Sequence, residues 1–135
     1  MEVDSQEIKL ALQQNGVEYV KVAITDIDGV LRGKYMHVDK FLKSIESGYG
    51  FCDVIFGWDS SDTLYEFKVS DEQNLFTGWH TGFPDQTVKI LLDSKRTIPF
   101  EKNTPLFLSE LKEGEVCPRS VLKKVLKLLR ESGLK

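Results

Sequence analysis

The chain has 135 residues and a mass of 15.4 kDa, a length that predicts one domain with a sizeable hydrophobic core. Hydrophobic residues make up 41% and charged residues 29%, which argues against disorder, and no apolar run is long enough to cross a membrane. The net charge is −3, and the basic residues near the C-terminus lack interleaved aromatics, so nucleic-acid binding is not predicted. With no secretory signal and only Cys52 and Cys117, we expect a cytoplasmic protein with reduced thiols.

The first elements are predicted to be a helix and a β-hairpin. The helix begins at Asp4 or Ser5, both of which are common N-cap residues. Apolar and polar residues then alternate over residues 17–27, as in a half-buried strand. Asp28-Gly29 favours a two-residue type I′ turn, because both central residues of that turn need positive φ. A return strand is therefore expected over residues 30–36.

A second helix, further strands and a final helix are predicted in the rest of the chain. Asp39 is expected to cap the second helix, and Gly48 to end it. Strands are predicted over residues 51–56, 88–92, 97–100 and 105–111. The final helix begins near Pro118 and carries a wide apolar face. This order predicts the α+β class, with a β-grasp topology and a mixed sheet of four to six strands.

Residues 57–85 form a long segment with little periodicity. Loops of this length in a compact domain usually have a function or are disordered. Six aromatic residues argue against disorder here: Trp58, Tyr65, Phe67, Phe76, Trp79 and Phe83. We therefore expect a functional loop.

The sequence Asp26-x-Asp28-Gly29 after an apolar strand resembles the nucleophile motif of haloacid-dehalogenase-type phosphatases. In that family the first Asp attacks phosphorus and the second acts as acid and base beside a magnesium ion. The later Asp-Asp pair of that family is absent from the sequence. We therefore favour the interpretation that Asp28 is a structural turn residue, and a phosphatase is the less favoured alternative.

Several segments in order resemble the amino-terminal β-grasp domain of the glutamine synthetase family, nearest to its glutamine synthetase-like and γ-glutamyl-amine ligase branch. The resemblance begins with Thr-Asp-Ile-Asp-Gly-Val-Leu-Arg-Gly-Lys-Tyr at residues 25–35. It continues through residues 39–42, 48–51, 56–61, 83–85, 97–100 and 116–119. It covers nearly the whole chain, from about residue 17 to residue 134.

The resemblance implies a role in forming an amide from a carboxylate. In this family ATP phosphorylates a γ-carboxylate, and ammonia or an amine displaces the phosphate. The amino-terminal domain lends an Asp-bearing loop, Phe-Asp-Gly-Ser-Ser, to the neighbouring subunit's active site in a ring. The matching stretch is Gly-Trp-Asp-Ser-Ser-Asp at residues 57–62, and the alignment places either Trp58 or Asp59 opposite the family's Asp. The favoured catalytic residue is Asp59, with Asp62 as a substitute, and Ser60 and Ser61 are the expected substrate-binding residues.

The resemblance also implies what this chain does not carry. The family's metal ligands and ATP site lie in a large carboxy-terminal domain, so we expect no cofactor here, and ATP with Mg²⁺ or Mn²⁺ for a full-length parent. Residues 1–113 are interpreted as the β-grasp domain, and residues 114–135 as a helix leading into a catalytic domain. The chain is expected to be inactive alone and to join a homo-oligomeric ring in the parent, or to self-associate. A stand-alone binding or assembly module is the alternative. We expect no membrane or nucleic-acid partner.

The remaining polar residues carry weaker expectations. His37 and His80 have no clustered Cys or carboxylate partners at ligand spacing, so no metal site is predicted. Arg32 and Lys34, which flank Gly33 in the return strand, are expected to be solvated charges at the edge of the sheet.

Overall fold

The computed structural model describes residues 5–65, 77–112 and 118–133, which form three helices packed with one mixed sheet. The elements are α1 (Ser5–Gln14), β1 (Tyr19–Thr25), β2 (Leu31–His37), α2 (Val38–Ser47), β3 (Tyr49–Cys52), β4 (Asp85–Ile98), β5 (Thr104–Leu111) and α3 (Pro118–Glu131). The sheet has the order β2-β1-β5-β4-β3, in which β1 and β5 are parallel and every other neighbouring pair is antiparallel. The α+β class and the β-grasp-like sheet predicted from the sequence are therefore confirmed.

The first hairpin forms where the sequence predicts it, but its turn is of a different type. Asp26 N–H donates to the carbonyl of Val30 at 2.9 Å, and Gly29 N–H donates to the carbonyl of Asp26 at 3.1 Å. Only Gly29 among the three loop residues 27–29 has a positive φ, of 82°. This is the three-residue hairpin loop in which an ordinary turn is followed by a left-handed glycine. The predicted type I′ turn is wrong because the Asp26 carboxylate binds the amides of Asp28 and Val30 and stabilises the longer loop.

The second helix begins and ends close to the predicted residues. Its N-cap is His37, whose Nδ1 accepts a hydrogen bond from Asp39 N–H at 3.3 Å, so the prediction of Asp39 as the cap is wrong. Gly48 ends the helix as predicted, with a φ of 77°. A Cβ at this position would lie 2.5 Å from the carbonyl oxygen of Val88, so the close approach of helix and sheet requires glycine.

Two of the predicted strands differ from the structure. The predicted strand over residues 51–56 is a short strand, β3, followed by a 3₁₀ turn at Asp53–Phe56. The strand predicted over residues 88–92 and the first half of the strand predicted over residues 97–100 are parts of one 14-residue strand, β4, whose register shifts between Leu91 and Arg96. Residues 99–100 belong to a 3₁₀ turn at Pro99–Glu101 instead. Ser94 stabilises the register shift, because its hydroxyl accepts Leu108 N–H at 2.8 Å and donates to Leu91 O.

The hydrophobic core lies between one face of the sheet and the helices α1 and α2. Its fully buried centre includes Phe41 of α2 and Phe107 of β5, with ring centroids 4.6 Å apart. The other buried apolar members are Ile8, Leu12, Val20, Val22, Ile24, Met36, Tyr49, Ile55, Val88, Ile90 and Leu111.

Helix α3 lies near the opposite face and leaves its apolar side chains exposed. Lys123 of α3 pairs with Glu110 of β5 at 2.7 Å. A cavity of about 300 Å³ separates Leu122 and Leu126 from the side of β1 and β5. Leu122 is 68% exposed, and the other apolar residues of the helix are between 43% and 56% exposed. Across the described ranges, no helix is long and apolar enough to cross a membrane.

Candidate functional site

Residues 57–65, called here the Asp59 loop, fold into a small hairpin. Trp58 and Leu64 form an antiparallel bridge. Asp59 N–H donates to the carbonyl of Thr63 at 2.9 Å, and Tyr65 N–H donates to the carbonyl of Gly57 at 2.9 Å. Residues 57–65 of the predicted long loop therefore have a defined backbone conformation.

Asp59 organises the tip of this loop. One carboxylate oxygen, Oδ1, accepts hydrogen bonds from the amides of Ser61 at 2.8 Å and Thr63 at 3.0 Å. Within the described part of the chain, no hydrogen-bond partner is found for Oδ2. Asp62 N–H donates to the carbonyl of Asp59 at 3.1 Å, and Asp62 takes a left-handed φ of 63°, which Asp tolerates better than most residues. The loop thus uses half of the Asp59 carboxylate for its own structure.

The other sequence-predicted site residues lie on the same turn. Ser60 and Ser61 are exposed. The carboxylate of Asp62 is 57% exposed and forms an ion pair with Nη1 of Arg32. The structure therefore brings Asp59, Ser60, Ser61 and Asp62 together at the surface, while their proposed roles stay predictions.

Arg32 is a site residue that the sequence analysis missed. Its Nε donates to Asp26 Oδ2 at 2.8 Å, and its Nη2 donates to the carbonyl of Asp59 at 3.3 Å. Its guanidinium carbon lies 5.3 Å from the ring centroid of Trp58. The hydrogen bond to Asp26 raises the pKa of Arg32, although desolvation partly opposes this. The expectation of a solvated edge charge is wrong, because the side chain is only 18% exposed and links the hairpin to the Asp59 loop.

Lys34 is exposed on the edge strand β2, as predicted, and its ammonium group also contacts strand β3. Its Nζ donates to the carbonyl of Gly50 at 3.0 Å and lies 5.0 Å and 5.3 Å from the ring centroids of Tyr49 and Phe51. Partial burial lowers its pKa, and the nearby positive charge of Lys40 lowers it further. Lys34 therefore connects the two edge strands, β2 and β3.

The geometry of Asp26 gives this residue a structural role. It is fully buried, and its two oxygens accept hydrogen bonds from the amides of Asp28 and Val30 and from Arg32 Nε. A carboxylate that attacks phosphorus needs an oxygen available to the substrate. These contacts favour the interpretation of the Asp26-x-Asp28 motif as a structural turn over its interpretation as a phosphatase motif.

The surroundings of the Asp59 loop are acidic. Partial desolvation raises the pKa of Tyr65, and the negative charges of Asp28, Asp59 and Asp26 raise it further. The carboxylates of these three residues and of Asp62 therefore lie in or near this loop, and the guanidinium of Arg32 pairs with two of them, Asp26 and Asp62. Such an excess of negative charge favours a cationic ligand over an anionic one.

The far end of the predicted long loop is anchored by a buried carboxylate. Asp53 is 1% exposed and accepts hydrogen bonds from Thr77 Oγ1 at 2.7 Å and Gln86 Nε2 at 3.4 Å. Beyond this anchor, Trp79 is 81% exposed, with its ring 5.1 Å from that of Phe83. Phe67, Phe76 and Cys117 lie outside the described residues.

The part of the chain that the structure describes holds no group of three or more His, Cys, Asp or Glu side chains able to bind a metal ion. Cys52 is a free thiol in that part, and it lies 3.3 Å from the carbonyl oxygen of Phe83.

Comparison with known proteins shows similarity to glutamine synthetases and amine ligases. The chain is 52% identical over 118 residues to the type-1 glutamine synthetase 2 of Dictyostelium discoideum, a match over 84% of this chain and 22% of that protein. It is 28% identical to a glutamate–isopropylamine ligase of a Pseudomonas species (92% of this chain, 27% of that protein). It is 31% identical to the γ-glutamylputrescine synthetase of Escherichia coli (96% of this chain, 27% of that protein). The chain thus spans about a quarter of the length of these curated relatives, and no family model matches it.

Solved structures show the same fold. The chain superimposes on a GmaS/ADP complex with a TM-score of 0.63 and 19% identity, over 97% of this chain and 26% of that chain. It superimposes on the glutamine synthetase of Plasmodium falciparum with a TM-score of 0.58 and 19% identity, over 98% of this chain and 23% of that chain.

Proposed function

We propose that this chain, which is related to the glutamine synthetase family by sequence and by fold, acts as the amino-terminal domain of an ATP-dependent glutamate–ammonia or glutamate–amine ligase. The observation that carries the proposal is the 52% identity over 118 residues to the Dictyostelium glutamine synthetase. In this role the domain presents the Asp59 loop to an active site completed by a neighbouring subunit in a ring. ATP and Mg²⁺ or Mn²⁺ are proposed to bind in the rest of a full-length ligase, as the family resemblance implies.

The chemistry proposed for the loop is binding and deprotonation of the amine. A carboxylate stabilises an ammonium ion by charge and accepts a proton as the amine becomes nucleophilic. Asp59 suits this role because the loop amides bind Oδ1 and so fix the direction of the side chain. The exposed hydroxyls of Ser60 and Ser61 lie beside it and are proposed to contact the substrate.

The acidic surroundings of the loop support a cationic substrate. Asp28 and Asp26 lie close enough to influence the pKa of Tyr65 at the end of the same loop. Both ammonium and a protonated alkylamine fit this charge, and the names of the relatives include ligases for isopropylamine and putrescine. The test therefore compares ammonia with these two amines.

A chimera tests the proposal directly. The 118-residue stretch of the Dictyostelium relative is replaced by the matching stretch of this chain, and ATP-dependent amide formation is measured with each amine. We expect an active chimera, in which Asp59→Asn lowers kcat/KM for the amine about 10²–10⁴-fold and leaves the KM for ATP nearly unchanged.

Asp93→Asn, at an exposed position on β4, is the matched control and should match the parent chimera. An active chimera in which Asp59→Asn has no effect would remove Asp59 from the reaction. A folded chimera that makes no amide with any of the three amines would contradict the proposal.

The exposed apolar face of α3 favours a second candidate, a stand-alone assembly module. Such a module would bind an intact relative or a second copy of itself without contributing to chemistry. Light scattering of the chain, with and without the intact Dictyostelium relative, tests it. Binding to the relative together with an inactive chimera would favour the module over the ligase domain.

A further inference from the structure

One guanidinium joins the first hairpin to the Asp59 loop. Arg32 uses Nε for Asp26, Nη1 for Asp62 and Nη2 for the carbonyl of Asp59, and its guanidinium carbon lies 5.3 Å from the ring centroid of Trp58. The rigid fork of donors in arginine can hold three acceptors in one plane and stack on an aromatic ring. A lysine ammonium cannot reproduce this arrangement.

The hairpin end of this link is the fixed end. Asp26 is fully buried, and its Oδ1 is held by the amides of Val30 at 2.8 Å and Asp28 at 3.0 Å. The loop end is at the surface, because the Asp62 carboxylate is 57% exposed. If the link is broken, the Asp59 loop is therefore the part that loses its position.

The two loop carboxylates differ in what they contact. Asp62 is the counter-ion of Arg32, and its position depends on this pair. Asp59 directs Oδ1 to the amides of Ser61 and Thr63, while its Oδ2 has no partner among residues 5–65, 77–112 and 118–133. The two candidates that the sequence leaves open are thus separated by their contacts.

We infer that Arg32 is a positioning residue that holds Asp62 as its counter-ion and thereby leaves Asp59 as the carboxylate presented to the amine. The inference rests on the proposed ligase function for the role of Asp59. The link between Arg32 and the loop stands on the geometry alone and can be tested without any activity.

The first test uses the chain itself, with Trp79→Phe introduced so that Trp58 is its single tryptophan. Arg32→Lys keeps the charge and removes the fork, so we expect acrylamide quenching of Trp58 fluorescence to rise about twofold or more. Asp28→Asn is the control, since the donors of Arg32 bind Asp26, Asp62 and Asp59, and the quenching should not change. Far-UV circular dichroism confirms that each variant is folded.

The second test uses the chimera and separates positioning from catalysis. Arg32→Lys should lower kcat for amide formation about 10–100-fold through misplacement of the loop, with the KM for ATP unchanged. Asp62→Asn should lower kcat less than about 10-fold, whereas Asp59→Asn should lower kcat about 10²–10⁴-fold.

The outcomes distinguish the two proposals. The positioning inference is overturned if Asp62→Asn lowers kcat as much as Asp59→Asn does. It is also overturned if Arg32→Lys leaves the quenching of Trp58 unchanged. An inactive chimera with parental loop residues contradicts the ligase function instead, and the quenching of Trp58 then still decides whether Arg32 holds the loop.

Discussion

The substitution Asp26→Asn should destabilise the protein far more than Asp62→Asn, although both residues bind the same arginine. Asp26 is fully buried, whereas the Asp62 carboxylate is 57% exposed. Asparagine keeps one oxygen that can accept the amides of Asp28 and Val30. Its amide nitrogen, however, is a donor that faces the donor Nε of Arg32, which now lies 2.8 Å from Oδ2.

The magnitude follows from these contacts. A hydrogen bond to a charged group contributes about 1.5–3 kcal/mol, and breaking a buried ion pair costs about 3–5 kcal/mol. Arg32 stays partly solvated and retains Asp62, so for Asp26→Asn we expect a loss of about 2–3 kcal/mol in the free energy of unfolding. Asp62→Asn removes an exposed pair, and asparagine tolerates its positive φ, so the expected loss is about 0–1 kcal/mol.

Urea denaturation followed by circular dichroism measures both values, with equal m-values as the check on two-state behaviour. An Arg32→Met background provides a further control, in which Asp26→Asn should cost much less, because its partner is already gone. Equal stability of the two asparagine variants would refute the reasoning, since it would show that the buried Asp26–Arg32 contact contributes no more than an exposed one.

Two predictions concern pH. Burial raises the pKa of Tyr49 to about 12, so the stability that its neutral form provides is present below pH 10 and is lost as the pH rises from 10 to 12. Over this pH range, the free energy of unfolding should fall about 2–3 kcal/mol more in the parent than in Tyr49→Phe. An equal fall in both proteins, measured by urea denaturation at each pH, would contradict this prediction. The pKa of Glu101 is lowered by hydrogen bonds from Lys21 and Tyr35, so its contribution is present above the ordinary glutamate pKa and disappears as the pH falls through the lowered value. The difference in stability between the parent and Glu101→Gln should therefore shrink between pH 7 and pH 3, and a constant difference in urea titrations would exclude this ion pair as its source.

Periodicity predicted the elements of this fold better than it predicted their ends. The hairpin was predictable from its alternating apolar residues, and the end of the second helix was predictable from Gly48. Both signals depend only on residues that are close together in the chain. The turn type was not predictable from Asp28-Gly29 alone, because the deciding contacts come from the side chain of Asp26. Strand β4 appeared as two strands, because Ser94 and its neighbours interrupt the pattern at an irregularity that β5 supports.

The candidate loop was recognisable from its sequence, but the division of roles within it was not. A shift of one residue in the alignment moves the family's carboxylate from Trp58 to Asp59, and local spacing offers no means of choosing. The contact that separates Asp59 from Asp62 comes from Arg32, 30 residues before Asp62 in the chain. Arg32 itself looked like a solvated strand residue, since its partners lie on two different segments. The role of a loop carboxylate therefore depends on which charges the fold brings to it, and a substitution at Arg32 is as informative about this site as one at Asp59.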